Sequence, residues 1–255
     1  MSILSNFDLI RRVPLFSMLT DEQAQIIASA VVKQRFRKGA LIVESGKKSN
    51  ALFIILNGRA HVLATDGRGR EAILANLKQG DYIGEMSLID NLPHSASVRT
   101  DVQTDVLVLA RAQFAKILPE NAAMTYVIMK TLVQRLRQAD RKIESLALMD
   151  VYGRVANALI EMADLDDEDG LVIRSKVSRQ NLAKTVGASR EMVSRVMKSF
   201  EEKGYFEVRG DGSTLIRNHA FALDWSIDPA RMSYTSNTFN SENDPSKRSA
   251  GERFA

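Results

Sequence analysis

Ser178-Arg179-Gln180-Asn181-Leu182-Ala183-Lys184-Thr185-Val186-Gly187-Ala188-Ser189-Arg190-Glu191-Met192-Val193-Ser194-Arg195 is the stretch whose reading decides the fold. Ser178 is a good N-cap for a short helix through about Thr185, with Leu182 and Ala183 apolar, and Gly187 supplies a turn where left-handed backbone is easiest. Ser189 is a second cap. The helix it opens carries Met192, Val193, Val196, Met197 and Phe200 as an apolar stripe, and Gly204 stands where a glycine stop is expected. That pattern is a helix-turn-helix, and its opposite face presents Arg190, Glu191, Ser194, Arg195 and Lys198.

A helix that enters the major groove needs such side chains near its N-terminus. Arginine grips guanine O6 and N7 with two bonds, and a carboxylate accepts from cytosine N4. Phosphate repels a carboxylate, so Glu191 beside an arginine points to base reading rather than to charge neutralisation. A capped, solvated helix is the plain alternative for any one charged helix. Against it stands the local charge: from Arg174 to Phe200 the basic residues are Arg174, Lys176, Arg179, Lys184, Arg190, Arg195 and Lys198, and the only acid is Glu191. Tyr205 to Val208 and Thr214 to Ile216 around Gly210-Asp211-Gly212 read as a two-stranded wing, from which Arg209 and Arg217 reach phosphate.

Working outward, 255 residues give room for two ordinary domains, and 45% hydrophobic with 26% charged residues is the balance of a soluble globular protein. A net charge of +4 is weak support for nucleic-acid binding by itself. The absence of cysteine removes disulfides, thiol switches, iron-sulfur clusters and cysteine zinc sites. His61, His94 and His219 have no metal-ligand spacing, so neither a metal nor a haem is expected. No apolar run has the length of a membrane helix and Met1 to Arg12 lacks the order of a signal peptide, so the expected location is the cytoplasm, away from membranes. No phosphate loop, metalloprotease motif or nucleophile elbow appears, and no enzyme activity is expected.

Between about Val32 and Ala110 short apolar strands alternate with turn residues. Val32 to Phe36, Leu41 to Val43, Leu52 to Leu56, Arg59 to Ala64, Glu71 to Leu77, Ser97 to Thr100 and Val106 to Ala110 are the candidates, which implies a barrel or double-sheet roll. A short helix, Asp21 to Val31 capped by Thr20, precedes them, with Pro14, Leu15 and Phe16 as its lid. Asn121 to about Leu148 is a long helix without Gly or Pro, in which Met129, Leu132, Leu136, Ala139, Ile143 and Leu146 are spaced 3, 4, 3, 4 and 3. That narrow stripe is a coiled-coil seam, so a parallel homodimer is expected. Val151 to Met162 is a further helix. The acidic run Asp164, Asp166, Asp167, Glu168 and Asp169 reads as a solvated loop, and the Ser-, Asn- and Asp-rich chain beyond Trp225 as disordered. The fold class is therefore α+β. Its parts are a sensor roll over 1–120, a dimerisation helix over 121–149, a winged helix-turn-helix over 150–225 and a tail over 226–255.

A roll, then a long helix, then a winged helix-turn-helix resembles the cAMP receptor protein family, the CRP/FNR transcription regulators, over roughly Pro14 to Arg217. Ser178-Arg179-Gln180 through Gly187-Ala188-Ser189-Arg190-Glu191-Met192-Val193-Ser194-Arg195 is similar to the family's recognition segment. By that likeness Arg179, Gln180, Ser189, Arg190, Glu191, Ser194, Arg195 and Lys198 would meet double-stranded DNA, with Arg190, Glu191 and Arg195 reading palindromic GTGA-like half-sites. Asp150-Val151-Tyr152-Gly153-Arg154-Val155-Ala156 resembles the family's hinge. RNA polymerase would be a further partner.

Gly84-Glu85-Met86-Ser87-Leu88-Ile89 and Pro93-His94-Ser95-Ala96 resemble the phosphate-binding cassette of a cyclic-nucleotide-binding roll (a double-stranded β-helix), which implies Gly84, Glu85, Met86, Ser87, His94, Ser95 and Ala96 as ligand-binding residues. Two departures stand out. His94 takes the place of the family's arginine, a weaker and largely neutral partner at pH 7. Ala139-Asp140 aligns with the Thr-Ser pair that meets adenine, and alanine has no side-chain hydrogen bond to give. Cyclic AMP, cyclic di-GMP with Arg99 or Arg141 as substitute phosphate donors, and action without a ligand all remain open.

Overall fold

The structure is a computed structural model in which residues 5–17, 19–117, 122–166 and 170–217 are described. It forms two compact units that divide after Ile143. No described helix is long and apolar enough to cross a membrane.

In the first unit, helices α1 (Asn6–Arg11) and α2 (Asp21–Ala30) lead into strands β1 (Val31–Phe36), β2 (Leu41–Val43), β3 (Ala51–Asn57), β4 (Ala60–Thr65), β5 (Glu71–Leu77) and β6 (Tyr82–Ile83). Then come α3 (Glu85–Asp90), β7 (Ser97–Thr100), β8 (Thr104–Ala110), α4 (Arg111–Ile117) and α5 (Ala122–Leu148), whose last turn belongs to the second unit. The strands make two antiparallel four-stranded sheets, ordered β1-β8-β3-β6 and β2-β7-β4-β5. Phe53, Ile55 and Val106 from the first sheet and Ile42, Leu77 and Val98 from the second share one core, as a double-sheet roll requires. The other face of the first sheet presents Leu52, Ile54, Leu107 and Leu109, which pack against Ile10, Phe16, Ile27, Met124 and Ile128 of the helices. Burial on both faces explains why β3 reads as a continuous apolar run rather than an alternation.

The reading of seven strands holds, with ends moved by a residue or two. It omits β6, α1, α3 and α4. Thr20 does cap α2, in a reciprocal box with Gln23, and Ser5 and Asp8 cap α1 in the same way. Leu15 and Phe16 are buried in a single 3-10 turn.

In the second unit α6 (Val151–Met162) is followed by β9 (Asp164–Asp166), β10 (Gly170–Ile173), α7 (Arg179–Val186), α8 (Arg190–Glu202), β11 (Phe206–Val208) and β12 (Thr214–Ile216). The four strands form one sheet, β11-β12-β10-β9. The acidic run is therefore not all loop: Asp164 to Asp166 pairs antiparallel with Gly170 to Val172, because Leu165 between two acids keeps a strand's period of two. Asp167, Glu168 and Asp169 lie outside the described residues, as do His219 and the tail. Phe200 is the centre of the core, edge-on to both Tyr152 and Tyr205 at 5.9 Å. Met192 departs from the expected stripe and is 37% exposed, since it sits one position outside the arc that buries Val193, Val196 and Met197.

On α5 the outer stripe stands open: Met129, Leu136, Ile143 and Leu146 are each more than half exposed in the single chain, with Tyr126 and Val133 beside them. Leu132 departs from this seam, being half-buried against the roll's own core.

Candidate effector cavity and recognition surface

The roll's cavity is lined by Val43, Val62, Leu77, Tyr82, Ile83 and Val98 on its apolar side, and by Gly84 to Ser87, His94 to Ala96 and Arg135 on its polar side, around a volume of about 80 Å³. Gly84 begins the polar side. It opens α3 with φ of 97°, and a Cβ there would stand 2.8 Å from the Ala51 carbonyl oxygen, so only glycine lets the cassette lie against β3.

Glu85 is 2% exposed and pairs with Arg135, whose Nη1 is 2.5 Å from Glu85 Oε1. Arg135 also donates from Nη2 to the Tyr82 carbonyl at 2.6 Å and lies 5.3 Å from the centre of the Tyr82 ring. Burial pushes the Glu85 carboxyl up from its ordinary value, and the adjacent guanidinium pulls it back in part. Sequence reasoning missed Arg135. Its signal was position: on a helix already assigned to a seam, an arginine four residues before Ala139 lies one turn nearer the cassette.

His94 is buried and held from both sides, with Nδ1 3.1 Å from Ser87 Oγ and Nε2 2.8 Å from Ser49 Oγ. One ring nitrogen donates and the other accepts, so two hydroxyls satisfy a neutral imidazole completely. Burial lowers its pKa further from the charged range. Ser87 in turn is placed by Arg111, whose Nη2 donates to the Ser87 carbonyl at 2.7 Å. Ser95 is exposed at the rim, beside Ala96, and Met86 is half exposed.

The structure does not bring Ala139 and Asp140 to this cavity. Both are exposed on α5, because a rise of about 1.5 Å per residue carries them about 6 Å or more beyond Arg135, where the lining ends. The substitute donors are also elsewhere: Arg99 is paired with Glu71 at 2.7 Å, and Arg141 is exposed outside the lining. Formal charge in the cavity is thus balanced by one ion pair, with a neutral imidazole where the resemblance calls for a cation. No group of three or more potential metal ligands occurs among the described residues.

The second surface is the start of α8. Ser189 caps the helix, its Oγ accepting from Met192 N at 3.1 Å, and Gly187 makes the turn with φ of 65°. Arg190, Glu191, Ser194 and Arg195 line one open concavity, and the charged ends of Arg190, Glu191 and Arg195 enter no ion pair among the described residues. Ser194 Oγ donates back to the Arg190 carbonyl at 2.8 Å. Lys198 pairs loosely with Glu202 at 3.6 Å, an exposed contact worth about 0.3–0.5 kcal/mol and easily given up. Ser178 caps α7, after which Arg179 is half-buried and Gln180 exposed. The wing forms as read: Asp211 Oδ1 accepts from Ser213 N and Oγ at 2.8 and 2.7 Å, while Arg217 is 3.2 Å from Glu207.

The buried histidine sets a pH dependence. Its folded pKa lies below the unfolded value near 6.5, so the unfolded chain takes the proton first. Stability from this group is whole above about pH 6.5 and is lost as pH falls towards the folded value, at up to about 1.4 kcal/mol per pH unit. Glu85, raised by burial, acts with the opposite sign above 4.5, and a substitution at 94 leaves that carboxyl in place. His94→Gln is expected to flatten the fall in unfolding free energy between pH 7 and 5, measured by urea denaturation. Equal slopes would remove His94 as the source.

Residues 33–121 match the family model of the cyclic nucleotide-binding domain, and residues 153–220 that of the Crp-like helix-turn-helix domain. The cAMP-activated global transcriptional regulator Vfr of Pseudomonas aeruginosa is 35% identical over 186 residues, 70% of this chain and 86% of Vfr. The cAMP-activated global transcriptional regulator CRP of Salmonella typhimurium is 30% identical over 196 residues, 75% of this chain and 92% of that one. The solved structure of the c-di-GMP responsive global regulator CLP of Xanthomonas campestris has a TM-score of 0.66 at 24% identity, covering 77% of this chain and 99% of CLP, a likeness of fold. With both domain models matched in order and relatives aligned over most of their length, the chain belongs to the CRP/FNR family of helix-turn-helix transcription regulators.

Proposed function

We propose that the protein acts in the cytoplasm as a parallel homodimer whose two α8 helices read GTGA-like half-sites of a palindrome in successive major grooves, about 34 Å apart. The observation that carries this is the bare face of α8: two guanidiniums and a carboxylate presented with no ion pair among the described residues, on a helix fixed by its cap and by the core beneath. Transcription control by such a dimer works through RNA polymerase as the third partner. The exposed apolar stripe of α5 supports the dimer.

The effector in this reading is a cyclic nucleotide in the roll's cavity, with cyclic AMP first and cyclic di-GMP second. Glu85 Oε2 remains to accept from a ribose hydroxyl, and Ser95 with the backbone at Ala96 donates to phosphate. A specific observation favours a second reading, in which no ligand is needed: among the described residues that line the cavity Arg135 is the one permanent cation, and it is already neutralised by Glu85. A charge-assisted bond to phosphate is about twice as strong as a neutral one, so the histidine weakens the site for any cyclic phosphate.

Three expected outcomes follow from these assignments. Leu136→Asp places two unpaired carboxylates in an apolar seam, and the mutant is expected to sediment as a monomer at micromolar concentration; an unchanged dimer mass moves the interface elsewhere. In calorimetry with cyclic AMP and cyclic di-GMP, His94→Arg is expected to raise cyclic AMP affinity about tenfold or more, by adding a charge-assisted bond. Wild-type binding of cyclic di-GMP alone, with no gain for the arginine variant, would reverse the order of ligands, and no heat with either would establish the ligand-free reading.

On DNA, Arg190→Ala is expected to cost about 1–3 kcal/mol on a GTGA-bearing palindrome and to relax preference at one base pair. Lys198→Ala should weaken all sequences alike and lower the salt slope by about one charge. Titrations of matched and single-base-changed duplexes across a salt series separate the two. Sequence-blind losses of equal size would reduce α8 to a basic helix resting on phosphate.

A further inference from the structure

The polar wall of the roll's cavity holds one titratable group that lies outside the ion pair of Glu85 and Arg135. His94 is 8% exposed between two hydroxyls, with Nδ1 3.1 Å from Ser87 Oγ and Nε2 2.8 Å from Ser49 Oγ. A neutral imidazole donates from one nitrogen and accepts at the other, so one of the two serines gives its hydroxyl hydrogen to the ring. A protonated imidazole donates from both. The serine that had donated then accepts instead, and its hydrogen is released to another acceptor. Either starting tautomer reaches the same end, in which two serine oxygens hold the imidazolium and both hydroxyl hydrogens are free to turn outward. Ser87 and His94 both line the cavity, so protonation adds a charge and a hydroxyl donor to the wall that also carries Ser95 and Ala96.

The elements packed round the ring supply no charge that already decides its state. From α3 and α5 come Glu85 and Arg135, which are paired with each other. The loop before β3 bonds the His94 backbone through Gly46 N and the Lys47 carbonyl, and its charged side chains are Glu44 and Lys47, paired at 2.6 Å, and the exposed Lys48. From α4, Arg111 donates to the Ser87 carbonyl and to Asn91 Oδ1, and at the end of α3 Asp90 accepts from Leu92 N. Burial alone lowers the His94 pKa. That penalty on the cation holds only while nothing anionic shares the cavity, since an opposite charge within about 4–6 Å favours the charged form. A guanidinium in this loop would be charged at every working pH, whereas an imidazole can take its charge when an anion arrives.

We propose that His94 makes effector binding proton-coupled: the imidazole stays neutral until a phosphate-bearing ligand enters, then takes one proton from water and becomes the second cation of the polar wall. This rests on the reading of the effector as a cyclic nucleotide with its phosphate at Ser95 and Ala96. The sign follows from linkage. A group whose pKa is higher in the complex than in the free protein makes binding tighten as pH falls between the two values, by up to about tenfold per pH unit for one proton. Glu85 acts the other way, because a hydroxyl donated to it favours its charged form and so releases a proton. Net uptake on binding is therefore the signature of the imidazole.

The test is calorimetry of the full-length protein with cyclic AMP and with cyclic di-GMP at about pH 6, 7 and 8, each in two buffers of different ionisation heat. The cyclic phosphodiester has no titration in this range, so any proton exchanged belongs to the protein. The wild type is expected to take up roughly half a proton to one proton per ligand and to bind about tenfold more tightly at the lowest pH than at the highest. His94→Arg is expected to take up none and to keep one affinity throughout, so its advantage over the wild type narrows as pH falls. His94→Gln, which offers one donor and one acceptor to the same two serines, is expected to bind weakly with no uptake, and it carries the comparison if the arginine variant does not fold. Binding by the wild type without proton uptake, or equal uptake by a folded His94 variant, overturns the proposal and leaves the nucleotide reading standing. No heat with either nucleotide at any of the three pH values overturns both.

Discussion

A carboxylate buried to 2% exposure needs a cation, and Arg135 of the long helix is the one that meets Glu85. Removing Arg135 would leave the buried Glu85 carboxylate without its cation, which is why the pair fixes the registration of α5 on the roll. The same face of α5 repeats the attachment at intervals of seven residues. Ile128 is buried in the roll's core, Arg135 reaches Glu85 and the Tyr82 carbonyl, and Lys142 donates to the Ile73 carbonyl at 2.5 Å on the edge strand β5. One position further on, Met129, Leu136 and Ile143 form the exposed stripe. Seven residues are two helical turns, so two parallel stripes run along one helix, one for the roll and one for a second copy.

The outer stripe was legible in the sequence and the inner one was not, for a physical reason. Apolar periodicity reveals contacts made by burial, whereas Arg135 and Lys142 make theirs by charge and by donation to backbone carbonyls, and such residues look solvent-facing in any hydropathy pattern. Spacing alone puts Leu132 in the seam, because it cannot say which of two neighbouring stripes a leucine joins. The helix-turn-helix was legible almost to the residue, since its caps and its turn glycine are local chemistry. β6 and α3 were not, because a two-residue strand and a six-residue helix opened by a left-handed glycine carry too few residues for a period to show.

His94 shows how a family motif can keep its backbone and change its electrostatics. The loop that carries it is tied to the loop before β3, with Gly46 N donating to the His94 carbonyl at 2.8 Å and His94 N to the Lys47 carbonyl at 2.9 Å. Those bonds depend on no side chain at 94, so the cassette can close with arginine or histidine alike. What changes is the charge delivered. An arginine there would face the cavity with a permanent cation, whereas this histidine spends both ring nitrogens on Ser49 and Ser87.

Balanced charge in the cavity also constrains how any effector could act. A ligand shifts a conformational equilibrium only through a difference in its affinity for the two states. Glu85 Oε1 is engaged by Arg135 while Oε2 has no side-chain partner among the described residues, so a ligand hydroxyl can join the pair without breaking it. A ligand phosphate at Ser95 and Ala96 would find one permanent cation among the described lining residues, Arg135, and drawing that guanidinium away would leave the buried Glu85 carboxylate without its partner. An anionic effector that drew on Arg135 would compete with the contact that seats α5 on the roll, and an uncharged group would not. For such an effector, affinity for the cavity and the placement of the helix that carries the outer stripe would be linked reciprocally, since whatever weakens the Arg135 contact for one weakens it for the other.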